Sequence, residues 1–145
     1  MFLDASAVVA ILTQEEGADV LIDKIDNYRG SITFSSVTIF EAVIALARKA
    51  AVSVYGDQRP TPPVMIAEAQ SDVEMFLRSI GASEIDMPNG LYHTALEAAQ
   101  TYGRFVGHPA RLNFGDCFAY AAAKTLKSKL LFIGDDFSRT DIEAA

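Results

Sequence analysis

Short strand-forming runs alternate with longer helix-forming segments along the whole chain, and this alternation constrains the fold more than any other feature. The strand signals lie at residues 1–4, 31–35, 83–87 and 130–133. Helical patterns fill the intervals, at 7–14, 18–28, 37–51, 62–79, 91–105 and 116–127. Parallel strands need crossover connections of about a dozen residues or more, and these are usually helices. We therefore predict an α/β fold with a central, mostly parallel sheet of four to five strands flanked by helices.

The length and composition indicate a single globular domain over residues 1–145. Half of the 145 residues are apolar, which is enough for a substantial core. No apolar run approaches the roughly 18 residues that span a bilayer, and no basic segment precedes a cleavable apolar stretch. We therefore expect a cytoplasmic protein with no membrane partner. Residues 52–63 are rich in glycine and proline and predict a surface excursion rather than a domain boundary.

The charge balance limits the kinds of partner that the surface can attract. The net charge is −7, and the isoelectric point is near 4.7. Since an acidic surface releases no counterions from a phosphate backbone, the chain is not expected to coat nucleic acid generally. Chemistry on nucleic acid would need a metal ion and a few local cations. The same balance suits a basic protein partner.

Acidic residues adjoin several segments that are expected to be buried. Asp116 lies in the first turn of the helix within NFGDCFAYAAAK, where it also fits a capping box with Asn113. Asp4 follows the first strand, Glu41 interrupts an apolar helix, and Asp135–Asp136 follow the last strand. In parallel sheets, ligands bind at the carboxyl ends of the strands, where these acids would converge. Their mutual repulsion would prevent full ionisation without a cation.

The residue types at this edge favour Mg²⁺, with Mn²⁺ as a substitute. Carboxylate oxygens suit hard divalent ions, whereas zinc prefers histidine or cysteine ligands. His93 and His108 have no ligand-like spacing, and the single cysteine, Cys117, fits a small buried residue better than a nucleophile. Neither the dinucleotide-binding nor the P-loop glycine pattern occurs. Asp4-Ala5-Ser6 also lacks the second acid that a haloacid-dehalogenase-type phosphatase would have, and no receiver-domain pattern is present.

Four segments together resemble a PIN domain, specifically that of the VapC ribonuclease toxins. They are MFLDASAVVAIL, the helix with Glu41, NFGDCFAYAAAK and LLFIGDDFSRTDI. The resemblance implies a Rossmann-like sheet and a cluster of acids that binds Mg²⁺ and cleaves RNA internally. By motif position, Asp4, Glu41 and Asp116 correspond to the first three family acids. The fourth is Asp136 or Asp135, with Asp136 favoured. Ser6 resembles a hydroxyl that holds Asp4 or its metal, and it also fits an N-cap.

The resemblance further implies a mechanism and partners. Metal-assisted hydrolysis by an outside water would leave a 5′-phosphate and a 3′-hydroxyl. The expected partners are an RNA substrate, a VapB-type antitoxin and a second copy of the chain. Residues 7–12 and 37–47 are candidate dimer surfaces, and the alternative is that these apolar residues face the sheet. Arg104, His108 and Arg111 are the local cations that could guide a phosphate, although solvated charges fit equally well. The alternative function is a catalytically silent module that docks an antitoxin or RNA.

Overall fold

A four-stranded parallel sheet forms the centre of the protein, as predicted. The computed structural model describes all 145 residues. Its strands are β1 (Phe2–Leu3), β2 (Thr33–Phe34), β3 (Ser83–Glu84) and β4 (Leu130–Leu131), arranged in the order β3-β2-β1-β4. Every neighbouring pair is parallel. All four strands therefore deliver their carboxyl ends to the same edge of the sheet.

Six α-helices connect and flank these strands. They are α1 (Ala5–Leu12), α2 (Ala18–Asn27), α3 (Ser36–Tyr55), α4 (Pro63–Ser79), α5 (Leu91–Tyr102) and α6 (Phe114–Leu126). Short 3-10 helices follow α5 at Arg104–Val106 and β4 at Phe137–Arg139. No helix is both long enough and apolar enough to cross a membrane.

Helix α3 is longer than the sequence predicted. The prediction ended it at residue 51 and began the surface excursion at 52, but the helix continues to Tyr55. The β-branched residues of this last turn cost only a few tenths of a kcal/mol each as helix formers, which packing easily overrides. Gly56, with φ of +79°, ends the helix because it adopts this backbone conformation without steric cost. The excursion therefore begins at Gly56.

The core consists of two apolar clusters on opposite faces of the sheet. Alternate residues of the strands point to opposite faces, so Leu3 and Leu131 join the cluster beneath α1, α3 and α4. Phe2 and Leu130 join the cluster beneath α5 and α6. Residues 7–10 of α1 are fully enclosed in the first cluster. Of the two alternatives for residues 7–12, a dimer surface is therefore excluded for this part of the helix, and its apolar side chains are part of the core.

Candidate active site

Asp4 is a buried carboxylate at the carboxyl end of β1. It is the N-cap of α1, and its Oδ2 accepts a hydrogen bond of 2.9 Å from the Ser6 backbone N–H. Its backbone N–H donates to the Leu131 carbonyl at 2.9 Å, which links it to β4. Only 3% of the residue is exposed. Burial raises the pKa of Asp4, and the Asp136 charge adds to this rise, while the Ser6 and Ala5 contacts oppose it.

Ser6 joins the ends of the neighbouring strands β1 and β4. Its backbone N–H donates to Asp4 Oδ2, and its hydroxyl oxygen accepts a hydrogen bond of 3.2 Å from the Ile133 N–H. Ile133 lies just after β4, so this contact fixes the segment that leads to Asp135 and Asp136. The N-cap role that Ser6 also fitted was wrong, because Asp4 is the N-cap of α1 and Ser6 lies within the helix. Ser6 does lie beside Asp4, where the resemblance put it.

Asp116 completes the capping box of α6, whose N-cap is Asn113, and also faces the carboxyl edge of the sheet. Its Oδ2 accepts from the Asn113 N–H at 2.7 Å, and its own N–H donates to the Asn113 side chain at 3.1 Å. This is the capping box expected from the sequence. Burial raises the pKa of Asp116 to about 6, with smaller contributions from the charges of Asp4 and Asp136. The capping contact and the charge of Arg104 oppose that rise.

Glu41 reaches the same place from α3. The Thr38 hydroxyl donates to the Leu3 carbonyl at 3.3 Å, which holds the start of α3 against the end of β1. From there the Glu41 carboxylate lies against Gly115, so closely that a Cβ on Gly115 would stand 1.7 Å from Glu41 Oε2. Burial raises the pKa of Glu41 to about 7, and the negative charges of Asp4 and Asp116 add to the effect.

These carboxylates share one cavity of about 600 Å³ at the sheet edge. Its walls include Asp4, Ser6, Glu41 and Asp116, and on the α3 side they continue to Arg48 and Lys49. None of the three acids takes part in the four salt bridges of the structure. Three carboxylates therefore face one cavity with no cation paired to them.

Asp135 and Asp136 differ in their relation to this cavity, although both are exposed. The charge of Asp136 raises the pKa of both Asp4 and Asp116. Asp135 shows no such influence, and its carbonyl accepts a hydrogen bond from the Ser138 hydroxyl at 2.6 Å. Of the two, Asp136 lies in electrostatic reach of the buried acids, although it does not line the cavity.

The donor chemistry of the cavity fits a hard divalent cation. All of its acidic donors are carboxylate oxygens, and burial, with a smaller contribution from neighbouring acids, raises the pKa of each of the three. As the side chains stand, no three carboxylate, histidine or cysteine groups are close enough to surround one ion. To bind one ion together, Glu41 and Asp116 would have to rotate toward Asp4. Both side chains are only half-buried, which leaves room for this rotation.

The predicted cations are distributed unequally around the site. Arg104 lowers the pKa of Asp116 by its charge. Arg111 and His108 do not line the cavity, and the His108 ring accepts a hydrogen bond from the Ala110 N–H at 3.1 Å. The cations that do line it, Arg48 and Lys49, were missed in the sequence. Their spacing was the available signal, because residues seven and eight positions after Glu41 return to its side of the helix.

Comparisons with known proteins agree with this architecture. The family described as PIN domain matches residues 1–143. A VapC ribonuclease of Rhizobium meliloti is 40% identical over 97% of this chain and 98% of its own length. The ribonuclease VapC42 of Mycobacterium tuberculosis is 33% identical over 100% of this chain and 98% of its own.

Among solved structures, the crystal structure of Mycobacterium tuberculosis VapC20, described as a sarcin-ricin loop cleaving toxin, has a similar fold. It superposes with a TM-score of 0.65 and covers 99% of this chain and 97% of its own, at 13% sequence identity. The match in fold agrees with the parallel sheet, and the sequence matches extend over all four acidic segments. The chain therefore belongs to the PIN domain family and, within it, to the VapC proteins.

Proposed function

We propose that the protein is a metal-dependent endoribonuclease and the toxin of a VapB–VapC type II toxin–antitoxin pair. The observation that carries the proposal is the convergence of Asp4, Glu41 and Asp116, from three separate chain segments, on one cavity without a paired cation. The names of the relatives as ribonucleases support the RNA substrate. The cytoplasmic location stays a prediction.

Each acid has a distinct part in this proposal. Asp4 is the most buried and is fixed by the Ser6 N–H, so it serves as the rigid ligand. Asp116 accepts the hydrogen bond of the Asn113 N–H with Oδ2, which leaves Oδ1 free to bind the metal ion. Glu41 completes the cluster from α3, and Asp136 adds negative potential from the exposed side. A bound Mg²⁺ or Mn²⁺ would supply an activated water and a counter-charge for the transferring phosphate.

Cleavage of a mixed pool of tRNA and ribosomal RNA tests this proposal. The purified protein, free of antitoxin, is incubated with Mg²⁺ or with EDTA, and the fragments are resolved on a gel. Discrete cuts that require the metal are expected. Intact RNA in both samples, together with retained binding of a VapB-like peptide, would favour the silent docking module instead. Equal cutting in Mg²⁺ and EDTA would contradict the metal-dependent mechanism.

The raised pKa values predict that stability without metal falls as pH rises. For Glu41, whose folded pKa is about 7 against 4.5 in a free side chain, the folded protein binds more protons between these values. The pKa of Asp116 is likewise raised, from 3.8 to about 6. The free energy of unfolding should therefore be highest below about pH 4 and decline as the pH rises to about 7. Thermal unfolding in EDTA from pH 5 to pH 8 measures this decline.

Added Mg²⁺ is expected to restore the stability that the protein loses at pH 8. At a hundred times its Kd, a ligand of the folded state adds about 2.7 kcal/mol, which for a domain of this size corresponds to a rise in Tm of about 5 to 10 °C. The rise should be smaller at pH 5, where more of the acids are protonated. A Tm that is independent of pH and Mg²⁺ would contradict the assignment of these carboxylates to a metal site.

The antitoxin is proposed to cover the same cavity. Phe40 and Ile44 form an apolar wall beside Glu41, and they are 67% and 40% exposed. A segment that carries apolar side chains and one basic residue would match both this wall and the carboxylates. The low isoelectric point agrees with a basic partner of this kind.

Self-association is proposed through a different face, formed by α5, the 3-10 helix Arg104–Val106 and α6. Its exposed apolar side chains include Tyr92, Leu96, Phe105 and Phe114, which are 53% to 64% exposed. Together with their neighbours they line an apolar groove of about 540 Å³. Contiguous apolar surface of this kind is typical of protein interfaces. A second copy of the chain is the occupant that the family resemblance implies.

Leu96→Asp is expected to convert a dimer into a monomer, because it places a charge in the lining of this groove. Light scattering coupled to size-exclusion chromatography measures the mass of wild type and variant. Val64→Asp is the matched control, since Val64 is 61% exposed on α4 and lies outside the groove. A wild type that is monomeric at high concentration, or a Leu96→Asp variant that remains dimeric, would contradict this surface.

A further inference from the structure

The cavity that holds the carboxylates also has a basic end. Glu41, Ile44, Arg48 and Lys49 follow one another along α3 and all line the same cavity. The two cations are seven and eight residues beyond Glu41, which corresponds to about 10 to 12 Å along the helix. The cavity is thus acidic at the sheet edge and basic two turns away.

Arg48 is held in place but has no acidic partner. Its guanidinium donates hydrogen bonds to the carbonyl of Arg59 at 2.6 Å and to the carbonyl of Asp57. Both acceptors belong to the loop that follows α3, so this loop fixes the orientation of the side chain. Arg48 takes part in none of the four salt bridges. Arg48 is therefore held at the cavity wall and has no carboxylate partner.

The charge of Lys49 is compensated by Glu15, and another anion can replace Glu15 in this pair. Its Nζ lies 2.6 Å from Glu15 Oε1, and the two side chains are 53% and 37% exposed. Ion pairs with this exposure contribute little stability, because water screens them and the side chains lose entropy. Glu15 itself lines the cavity and is also held by the Thr13 hydroxyl at 2.9 Å. An incoming phosphate can take its place on Lys49.

The α3 side of the cavity also carries accessible apolar side chains. Ile44 lies between Glu41 and the two cations along α3, and Phe40 precedes Glu41 and lines the same cavity. Phe40 is among the most exposed aromatic residues of the chain, at 67%. Aromatic side chains beside a basic groove are suited to stacking with unpaired bases. The cavity therefore offers an apolar surface for a base close to two cations for a phosphate, which suits a single RNA strand.

We propose that Arg48 and Lys49 form a phosphate-binding subsite for the RNA strand next to the cleavage centre, and that Glu15 forms an ion pair with Lys49 when no strand is bound. The inference rests on the proposed ribonuclease function, since it names the part of the substrate that this end of the cavity holds. Arg48 and Lys49 are positioning residues that hold the strand and take no part in bond cleavage.

Binding of a fluorescein-labelled oligouridine of twelve nucleotides, measured by anisotropy in EDTA over a series of salt concentrations, tests the subsite. Lys49→Gln and Arg48→Gln should each weaken binding about 3- to 10-fold and reduce the slope of log K against log salt by about 0.7. Glu15→Gln should tighten binding about 2- to 5-fold, because it frees Lys49. The double variant Glu15→Gln/Lys49→Gln should bind like Lys49→Gln alone.

The Lys129–Glu143 pair provides matched controls outside the cavity. It is another exposed lysine–glutamate pair, with a separation of 3.1 Å. Lys129→Gln and Glu143→Gln should change the affinity by less than twofold, and thermal unfolding verifies that every variant is folded. Equal affinity of wild type, Lys49→Gln and Arg48→Gln would overturn the proposal, and so would weaker binding by Glu15→Gln.

A cleavage assay separates failure of the subsite from failure of the ribonuclease proposal. With Mg²⁺ and an RNA that the wild type cuts, Lys49→Gln should raise KM about 3- to 10-fold and leave kcat within about twofold. If the wild type cuts RNA but the variants share its KM, the subsite is refuted and the nuclease stands. If the wild type cuts no RNA while the binding differences persist, the nuclease is refuted and the strand-binding subsite stands.

Discussion

Asp116→Asn is expected to lower RNA cleavage at least about 100-fold while the protein remains folded. Asn has nearly the same shape, and its side-chain oxygen can still accept the hydrogen bond that the Asn113 N–H now donates to Asp116 at 2.7 Å. The cap of α6 is therefore kept, and only the negative charge in the cavity is removed. Loss of one preorganised electrostatic contact at a transition state typically costs 100- to 1,000-fold in rate.

Asp4→Asn should have an effect of the same size for the same reason. Its side-chain oxygen can still accept from the Ser6 N–H and cap α1. Because Asp4 is desolvated and its pKa is raised, removal of its charge should leave the Tm in EDTA at pH 8 equal to or above that of the wild type. Initial rates, circular dichroism and thermal unfolding together measure these effects.

Asp135→Asn is the matched control for both variants, because this exposed acid does not line the cavity. Its rate should stay within about twofold of the wild type. Asp136→Asn should lower the cleavage rate by an intermediate factor, since the charge of Asp136 acts on both Asp4 and Asp116. An Asp116→Asn protein that is folded and cuts at the wild-type rate would refute the assigned role of the cavity.

Gly115→Ala is the second change with a large expected effect, a loss of about 10- to 100-fold in kcat. The new methyl carbon would stand 1.7 Å from Glu41 Oε2, so the carboxylate has to move away. The obstacle is the end of a flexible side chain, and the backbone does not need to shift. Ala is also the better helix former, by about 1 kcal/mol. Activity should therefore fall while the Tm is unchanged or higher.

The double variant Glu41→Gln/Gly115→Ala identifies how this loss arises. If the methyl group acts by displacing the Glu41 carboxylate, the double variant should be no slower than Glu41→Gln alone, as for two changes in one contact. Fully multiplicative losses would show that Gly115 acts independently of Glu41. A wild-type rate in Gly115→Ala would show that the observed position of Glu41 is unimportant for cleavage.

The fold and most of the acidic cluster could be predicted from the sequence because both depend on local patterns. Alternation of strand and helix signals requires crossovers, and crossovers require a parallel sheet with its carboxyl ends at one edge. Asp4 directly follows β1, and Asp116 opens α6, so their convergence follows from the topology alone. Cys117 was predicted to be a small buried residue, which the structure confirms.

Features that depend on contacts between distant segments could not be predicted. The contact of Glu41 with Gly115 joins residues 74 positions apart in the sequence, and nothing in the local pattern of either helix encodes it. The pairing of Lys49 with Glu15 depends in the same way on how α3 packs beside α1. The resemblance favoured Asp136 over Asp135 by motif position, and the turn after β4 adds that the charge of Asp136 acts on Asp4 and Asp116.

The chemistry of the RNA ends produced by the wild-type protein tests the central claim most directly, namely that the carboxylates direct an outside water onto the phosphodiester bond. Fragments from the Mg²⁺ reaction are ligated to adapters that require a 5′-phosphate on one fragment and a 3′-hydroxyl on the other. We predict that both ligations succeed at every cut. Fragments with 2′,3′-cyclic phosphates and 5′-hydroxyls would show attack by the ribose itself and would contradict this mechanism.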